Sequence, residues 1–434
     1  MLFNDSKIIM KREVLAMTQM IKEPFLADNI DYSTYSDVVF QINSLAKADA
    51  LVNPEKTVNA TIGTLCGEDG KILAFRSVYD SFRKVPDTVK ASYASDLGGN
   101  PDFREEIFKW INRNNNIELP HAVIAAPGGT GALFLMFTSC LNKGETVLLP
   151  DIYWGSYNLM VNKHQLKSEK YRIAENNQVS IRDLMAKSES IMERLGKLMV
   201  IINDPCHNPT GISLGYEKWS QLIDFFNKLS EKGPVIVVND TAYLDFAHNP
   251  DHITDYMANF NKISDNVLLS LAYSCSKAFT CYGARLGANI ILAKDPQRVA
   301  NMDNALRRVL RGTWSNGNNG FMHCVVDVLR NHKEEYLRER DASVAMLQRR
   351  ADIVVKEAEQ CGLPLYPYHE GFFITIPIED TDLLSRYHSA LMKDHIYTVK
   401  FQKGIRIAIC GLPEKKCYGL AARMKAILEE TVND

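Results

Sequence analysis

A lysine between two apolar segments is the residue of this sequence best placed for covalent chemistry. Lys277 lies between residues 266–272 and 286–292, with Ser274 three positions before it and Arg285 eight positions after it. A lysine amine can form a Schiff base with a carbonyl compound, and a hydroxyl and a guanidinium can bind a phosphate. The three residue types therefore fit a ligand that carries both groups. An ordinary lysine in a surface loop is the alternative.

A glycine-rich segment offers a second place for a phosphate. The segment Pro127-Gly-Gly-Thr-Gly-Ala-Leu133 follows a predicted strand and opens a predicted helix. Free backbone N–H groups at Gly129, together with the Thr130 hydroxyl, could bind an anion at such a helix N-terminus. The spacing matches neither the P-loop nor the dinucleotide-binding glycine pattern. An ordinary glycine turn is the alternative.

Four polar or aromatic side chains also follow predicted strands, namely Asp240, Tyr243, Asn208 and Trp154. A carboxylate at the end of a buried strand needs a partner, such as a protonated pyridine nitrogen. The amide of Asn208 could donate to a ring oxygen, and the indole could stack on a flat ring. The alternatives are a helix cap for Asp240, a plain turn for Asn208 and core packing for both aromatic residues.

Arg406 is the single charged residue within the apolar segment 404–410. A guanidinium among alternating apolar residues needs an anionic partner, and a bidentate pair with a substrate carboxylate would supply one. A structural salt bridge or the outward face of an edge strand are the alternatives.

The elements that must position these residues change character along the chain. From residue 122, apolar segments at 122–127, 146–150, 198–203 and 235–240 alternate with amphipathic helices. Strands that are apolar on both faces are typical of a parallel sheet covered by helices, and such sheets bind ligands at their carboxyl ends.

The two ends of the chain show a different pattern of predicted helices and strands. Residues 321–360 form a long charged helical stretch, which precedes predicted strands at 372–377 and 405–410 and a closing helix at 415–431. This pattern predicts a smaller α+β domain. Predicted N-terminal helices at 5–21 and 42–52 could pack onto it.

Composition excludes several classes of protein. The 434 residues carry a formal net charge of −2, which argues against a nucleic-acid-coating protein. No segment approaches the roughly 18 apolar residues of a membrane helix, and the N-terminus lacks a signal-peptide pattern. The nine cysteines are scattered and the histidines lack metal-like spacing, so we expect reduced thiols, a cytoplasmic location and no metal.

In combination, these motifs resemble the fold type I, class I aminotransferases that depend on pyridoxal phosphate, close to the aspartate and aromatic aminotransferases. The similarity runs from Val58-Asn59 and Gly63 to the strand of Arg406. It implies an α/β fold with a mostly parallel sheet flanked by helices in a large domain, residues 67–325. The smaller α+β domain would combine residues 1–66 and 326–434.

The resemblance also implies a role for each motif residue. Lys277 would form the Schiff base (the internal aldimine) with pyridoxal 5'-phosphate and transfer the proton. Asp240 would pair with the pyridinium nitrogen, Tyr243 and Asn208 would bond the ring oxygen, and Trp154 would stack on the ring. The expected phosphate ligands are Gly129, Thr130, Ser274, Arg285 and, from the neighbouring subunit, Tyr93. The expected substrate-carboxylate ligands are Gly63 and Arg406.

Two departures from the family pattern concern the entrance of the site. The Tyr93 loop is one residue longer than usual, and Thr61 replaces the first glycine of the segment that contains Gly63. Both departures make the alignment with the family less certain at the entrance of the site, but they do not affect the alignment of the residues expected to carry the chemistry.

The implied activity is a ping-pong exchange of an amino group between an L-amino acid and a 2-oxo acid, in a homodimer with shared sites. Arg311 resembles the arginine that reads the distal carboxylate of aspartate or glutamate across the dimer interface. Gly317 stands where a proline usually follows, and a helix with solvent-facing arginines is also compatible with this segment. Aromatic substrates therefore stay open.

Two rival functions are also compatible with these motifs. A carbon–sulfur β-lyase or a decarboxylase would share the lysine, the aspartate and the phosphate ligands. A cofactor-binding regulator without catalytic activity would need a DNA-binding module, for which the sequence shows no basic stripe.

Overall fold

The computed structural model describes residues 24–27, 30–31, 37–114 and 116–433. The helix predicted over residues 5–21 lies outside this range. The chain forms two compact units, residues 1–36 and 37–434. In the first unit, the Ile30 N–H donates to the Ala27 carbonyl at 3.0 Å. All the elements below belong to the second unit.

A seven-stranded sheet lies at the centre of this unit. Its strands are β2 (His121–Ala126), β3 (Thr146–Pro150), β4 (Lys167–Tyr171), β7 (Leu198–Asn203), β8 (Val235–Asp240), β9 (Val267–Ser274) and β10 (Gly287–Leu292). The order is β2-β10-β9-β8-β7-β3-β4, and β10 runs antiparallel to both of its neighbours. The inner strands are buried along their whole length, so both faces are covered, as the apolar segments predict.

Helices cover the two faces of this sheet. Three of the helices, α1 (Val38–Val52), α13 (Thr381–Lys393) and α14 (Leu420–Asn433), belong instead to the smaller part of the fold described below. The others are, in chain order, α2 (Arg76–Lys84), α3 (Asp87–Ala91), α4 (Pro101–Ile111), α5 (Gly128–Cys140), α6 (Ser156–Lys163), α7 (Arg182–Leu195), α8 (Gly215–Leu229), α9 (Cys275–Ala278), α10 (Pro296–Arg311), α11 (Asn319–Asn331) and α12 (Lys333–Cys361). Two apolar clusters fill the space between the sheet and these helices. The predicted helical stretch at 321–360 is divided at His332 into α11 and α12.

A second, smaller sheet is built by the C-terminal part of the chain. Strands β11 (Phe373–Pro377), β14 (Gly404–Ala408) and β13 (Val399–Phe401) pair antiparallel in that order, so Arg406 lies on the central strand. The short strand β1 (Val58–Asn59) pairs with β12 (Ile396–Tyr397), which joins residues from both ends of the chain. A two-stranded hairpin of β5 (Ala174–Glu175) and β6 (Gln178–Val179) completes the strands of the described residues.

Two features are absent from the described residues. Within the part of the chain that the structure describes, no helix is long and apolar enough to cross a membrane. The same residues contain no cluster of His, Cys, Asp and Glu side chains that could hold a metal ion.

Candidate active site

A cavity of about 480 Å³ lies where the parallel strands of the large sheet end. The lining residues are Gly129, Thr130, Leu133, Trp154, Asn203, Asn208, Asp240, Ala242, Tyr243, Ser274, Ser276, Lys277 and Arg285. The cavity therefore contains every residue predicted to touch the cofactor except Tyr93.

Lys277 lies on the short helix α9, directly after β9 ends at Ser274. Its ammonium nitrogen is 5.4 Å from the centroid of the Tyr243 ring. Burial lowers the pKa of the Lys277 amine, while the charge of Asp240 opposes that shift. A lysine whose pKa is lowered by burial has a larger neutral, nucleophilic fraction near neutral pH.

Asp240 ends the buried strand β8 and is held by two donors. The Tyr157 hydroxyl donates to Oδ2 at 2.6 Å, and the backbone N–H of Ala242 donates to Oδ1 at 3.2 Å. Burial raises the pKa of Asp240, and these donors together with the charge of Lys277 offset part of the shift. Asp240 makes no ion pair with any described residue, so a cationic ligand group would find a prepared partner.

The phosphate end of the cavity is formed by the start of α5 and by the loop that contains Arg285. The first N–H groups of a helix have no partner within the helix, so those of Gly129 and Thr130 are free to bind an anion. Arg285 donates to the Ser276 hydroxyl and to the Pro127 carbonyl, each at 3.2 Å. Gly128 has a φ of +72°, which L side chains rarely adopt, so glycine is favoured at this turn beside the Arg285 guanidinium.

Arg406 reaches the same region from the small sheet. Its guanidinium donates to the Asn208 amide oxygen at 3.2 Å and to the Thr61 carbonyl at 2.5 Å. It also lies 4.3 Å from the ring centroid of Phe373 and 5.0 Å from that of Phe401. Burial lowers the pKa of Arg406 to about 10.

The partners of Arg406 decide between the alternatives for this residue. No described carboxylate pairs with it, and its buried Nε atom has no hydrogen-bond partner. The absence of a paired carboxylate excludes the structural salt bridge. The outward face of an edge strand is also excluded, because β14 is the central strand and Arg406 is only 4% exposed. A buried cation without an acid nearby is suited to an anionic ligand.

Gly63 lies beside this arginine site. A Cβ atom at Gly63 would come within 2.7 Å of the Phe373 ring and 3.8 Å of the Tyr243 hydroxyl. The backbone can approach this corner because the residue has no side chain. Gly63 thus lies against Phe373, which packs on Arg406, and near Tyr243, which lines the cavity, while its role in binding the substrate stays a prediction.

Tyr93 and Arg311 are predicted site residues that lie exposed on the surface, whereas Gly63 and Arg406 lie beside the cavity without lining it. Tyr93 is 84% exposed, and the exposed Arg311 donates to the Ser315 hydroxyl at 2.8 Å. Both were assigned to the site of a neighbouring subunit, so their position within one chain leaves these assignments as predictions.

The sequence-based reasoning missed three polar residues of the site. Tyr157 holds Asp240, and Ser276 lies in the cavity beside Arg285. Asn203 accepts from the Asn208 N–H at 2.7 Å and donates to the Asp240 carbonyl at 2.8 Å. Ser276 could have been found within the Ser-x-Ser-Lys motif, whereas Tyr157 has no signal beyond following Trp154 at a helix start.

The arrangement fits pyridoxal phosphate on structural grounds. The free helix N-terminus and Arg285 suit a phosphate, and the unpaired Asp240 suits a protonated ring nitrogen. Lys277 lines the same cavity, and the charges of Asp240 and Arg285 both act on its amine, so the lysine is near both ends of the site.

Comparison with known proteins agrees with the geometry. The family model described as aminotransferase class I and II matches residues 55–424. The aspartate aminotransferase of Pseudomonas aeruginosa is 26% identical over 64% of this chain and 69% of its own. That of Salmonella typhi is 23% identical over 91% of this chain and 98% of its own.

A solved structure extends the likeness to the fold. The aminotransferase of Anaerococcus prevotii superposes with a TM-score of 0.89 at 29% identity, over 93% of this chain and 99% of that one. These findings do not favour the β-lyase, the decarboxylase or the regulator. The chain therefore belongs to the class I and II aminotransferases, and it is an enzyme that transfers amino groups with pyridoxal 5'-phosphate as its cofactor.

Proposed function

We propose that the protein exchanges an amino group between an L-amino acid of the dicarboxylic or aromatic type and a 2-oxo acid. The observation that carries this proposal is the buried, unpaired Arg406 beside the cavity of Lys277. Both substrates have an α-carboxylate, which Arg406 can bind through two N–H groups. Relatives named aspartate aminotransferase and aromatic-amino-acid aminotransferase support the two substrate types.

The proton transfer falls to Lys277. Pyridoxal phosphate, when bound, supplies an aldehyde for the substrate amine and a conjugated ring that accepts the electrons of the Cα–H bond. The Lys277 amine would remove the proton from the substrate α-carbon and deliver it to the former aldehyde carbon of the cofactor, on the other side of the shared nitrogen, so it acts as base and then as acid. Its lowered pKa favours the neutral form that the first step needs.

Asp240, Asn208 and Arg406 hold the reacting groups in place. The Asp240 carboxylate keeps a proton on the ring nitrogen, and Tyr157 fixes that carboxylate. Asn208 accepts from Arg406 with its amide oxygen, which leaves its amide nitrogen free to bond the ring oxygen together with Tyr243. Because Arg406 is fixed by Asn208 and Thr61, the substrate carboxylate is oriented before the Cα–H bond breaks.

The assembly that we propose is a cytoplasmic homodimer with shared sites. Tyr93 and Arg311 are both exposed, which leaves them available to a neighbouring subunit, where they would bind the phosphate and a distal carboxylate. Each subunit would have a large domain, residues 67–325, and a small domain from residues 1–66 and 326–434. The pairing of β1 with β12 supports a small domain drawn from both chain ends.

A donor and acceptor panel on purified protein tests this function. We expect measurable kcat/KM with 2-oxoglutarate as acceptor and aspartate or phenylalanine as donor, and at least about tenfold less with alanine, whose side chain offers neither a charge nor a ring. Lys277→Ala should remove turnover and the visible absorbance band of the bound cofactor. Full activity in that variant, or ammonia release without an acceptor, would contradict the proposal.

A further inference from the structure

Strand β14 contacts the loops of the large sheet through Arg406, which bonds Asn208. It makes a second contact with them through the hairpin turn that joins it to β13. Residues Gln402 and Lys403 form this turn, because Phe401 pairs with Gly404 at its base. The Ile378 N–H donates to the Lys403 carbonyl at 2.9 Å, which fixes the turn to its own sheet. Lys403 therefore moves together with the strand of Arg406.

The turn lies on the loop that leads from β3 to Trp154. The Lys403 ammonium is 2.9 Å from Asp151 Oδ2, and the Tyr153 N–H donates to the Gln402 side chain at 3.4 Å. The pair is partly buried, with Lys403 34% and Asp151 12% exposed. Partial burial makes such a contact stronger than a fully exposed ion pair.

Asp151 itself is fixed to the large sheet. Its backbone N–H donates to the Tyr171 carbonyl at 2.8 Å. Lys403 has a second acidic partner, Glu379, but that carboxylate is 3.9 Å from the ammonium, so Asp151 is the nearer one. The residue three positions further along is Trp154, which lines the cavity. One hairpin thus links the substrate-carboxylate arginine to the loop expected to stack on the cofactor ring.

We propose that Lys403 and Asp151 are positioning residues of the aminotransferase reaction. Their ion pair holds the hairpin of Arg406 against the loop of Trp154, and so sets the distance between the substrate carboxylate and the cofactor ring. This inference rests on the proposed function, because it assigns the carboxylate to Arg406. Neither Lys403 nor Asp151 touches the reacting atoms.

Lys403→Met tests the pair, with Lys400→Met as the matched control. Lys400 lies on the same hairpin, is exposed and bonds only the Ser385 hydroxyl among the described residues, at 2.9 Å. We expect Lys403→Met to raise KM about three- to tenfold for both the amino donor and the oxo acid, because both use the same carboxylate site. The dissociation constant of pyridoxal phosphate should stay within twofold, and Lys400→Met should match the wild type.

Further variants separate positioning from general stability. Lys403→Arg should restore KM to within about twofold. Asp151→Asn combined with Lys403→Met should be no worse than either change alone, because both remove one interaction. A KM unchanged in Lys403→Met, or a parallel loss of cofactor affinity and thermal stability, would overturn the proposal.

Amide hydrogen exchange of residues 151–157 tests the contact without turnover. The Tyr153 N–H should exchange faster in Lys403→Met than in Lys400→Met, because the Gln402 acceptor loosens with the turn. Equal exchange in the two variants would also overturn the inference. If the wild type fails to transaminate any pair while this difference appears, the proposed function fails and the contact between hairpin and loop stands.

Discussion

At the scale of single residues, the hydrogen bond from Tyr157 to Asp240 decides how the cofactor ring would be supported. Both groups are buried, and burial raises the pKa of each, that of the Tyr157 phenol well above its usual value. The phenol therefore stays protonated and donates to the carboxylate at 2.6 Å. A donor to the charged form favours ionised Asp240, which is the form that can hold a proton on the ring nitrogen.

Tyr157→Phe should therefore weaken catalysis through Asp240. Loss of a hydrogen bond to a buried charged group costs about 1.5–3 kcal/mol, so we expect kcat to fall about 10- to 100-fold. The pKa of Asp240 should rise, which moves the acidic limb of the kcat/KM profile to higher pH. A titration of apo protein followed by absorbance should show weaker binding of pyridoxal phosphate.

Tyr171→Phe is the matched control for this change. Tyr171 is also a buried tyrosine, but its hydroxyl donates to the neutral Ile201 carbonyl at 3.0 Å. Its removal should lower thermal stability without shifting the pH profile. Equal pH profiles for Tyr157→Phe and the wild type would exclude the role of Tyr157.

Much of the site at this scale could be predicted from the sequence. Lys277, Asp240 and Asn208 stand at or just after the ends of parallel strands. Because the carboxyl ends of parallel strands meet at one edge of the sheet, the positions of these residues along the chain are enough to predict that they converge. Tyr157 could not be found in this way, because its role depends on the position of α6 in space, which brings the Tyr157 hydroxyl to Asp240 at the end of β8. Nor does the sequence reveal that Arg406 lacks an acidic partner, which is a property of its surroundings in space.

At the scale of elements, the buried Asp204 joins β7 to the start of α8. Its two oxygens accept from the Leu214 N–H and from the Trp219 indole N–H, each at 2.7 Å. Burial nevertheless raises the pKa of Asp204 to about 7. The loop that contains Asn208 thus begins at a carboxyl group that resists ionisation.

This shift predicts a pH-dependent stability. Because the folded pKa lies above the unfolded one, the native state holds a proton that the unfolded chain has lost between about pH 4 and pH 7. The contribution of Asp204 is therefore complete below about pH 4 and is lost as the pH rises to about 7, by at most about 4 kcal/mol.

Urea unfolding of apo protein between pH 4 and pH 8 measures the effect, with Asp204→Asn as the reference. The difference in free energy of unfolding between wild type and variant should fall as the pH rises to about 7 and stay constant above it. Other titrating groups are common to both proteins and cancel. A difference that rises with pH would contradict the assignment.

The elements themselves were predicted unequally well. The segments 146–150, 198–203 and 235–240 are strands with the predicted bounds, because each is a short apolar stretch between turn signals. The boundary at His332 was not visible, since a charged helical pattern continues through residues 321–360. The antiparallel direction of β10 is likewise set by its pairing with β2 and β9, which the local sequence does not record.

At the scale of the whole molecule, the exposed position of Arg311 bears on its proposed role in substrate choice. The residue ends α10 on the surface and bonds only the nearby Ser315 among the described residues. Arg311 does not line the cavity of its own chain. In a two-fold symmetric dimer, each such arginine can serve the site of the other subunit.

Hybrid dimers of two inactive variants test this arrangement. In a mixed dimer of Lys277→Ala and Arg311→Met, one site receives both changes, whereas the other receives the intact Lys277 of one subunit and the intact Arg311 of its neighbour. Equal amounts of the two chains, unfolded and refolded together, should form hybrids in about half of the dimers, and one of two sites in each is intact. Aspartate turnover should therefore recover to about a quarter of the wild-type value, although each variant alone has little. Turnover that stays at the average of the two separate variants would show that Arg311 acts in its own chain or has no role in binding aspartate.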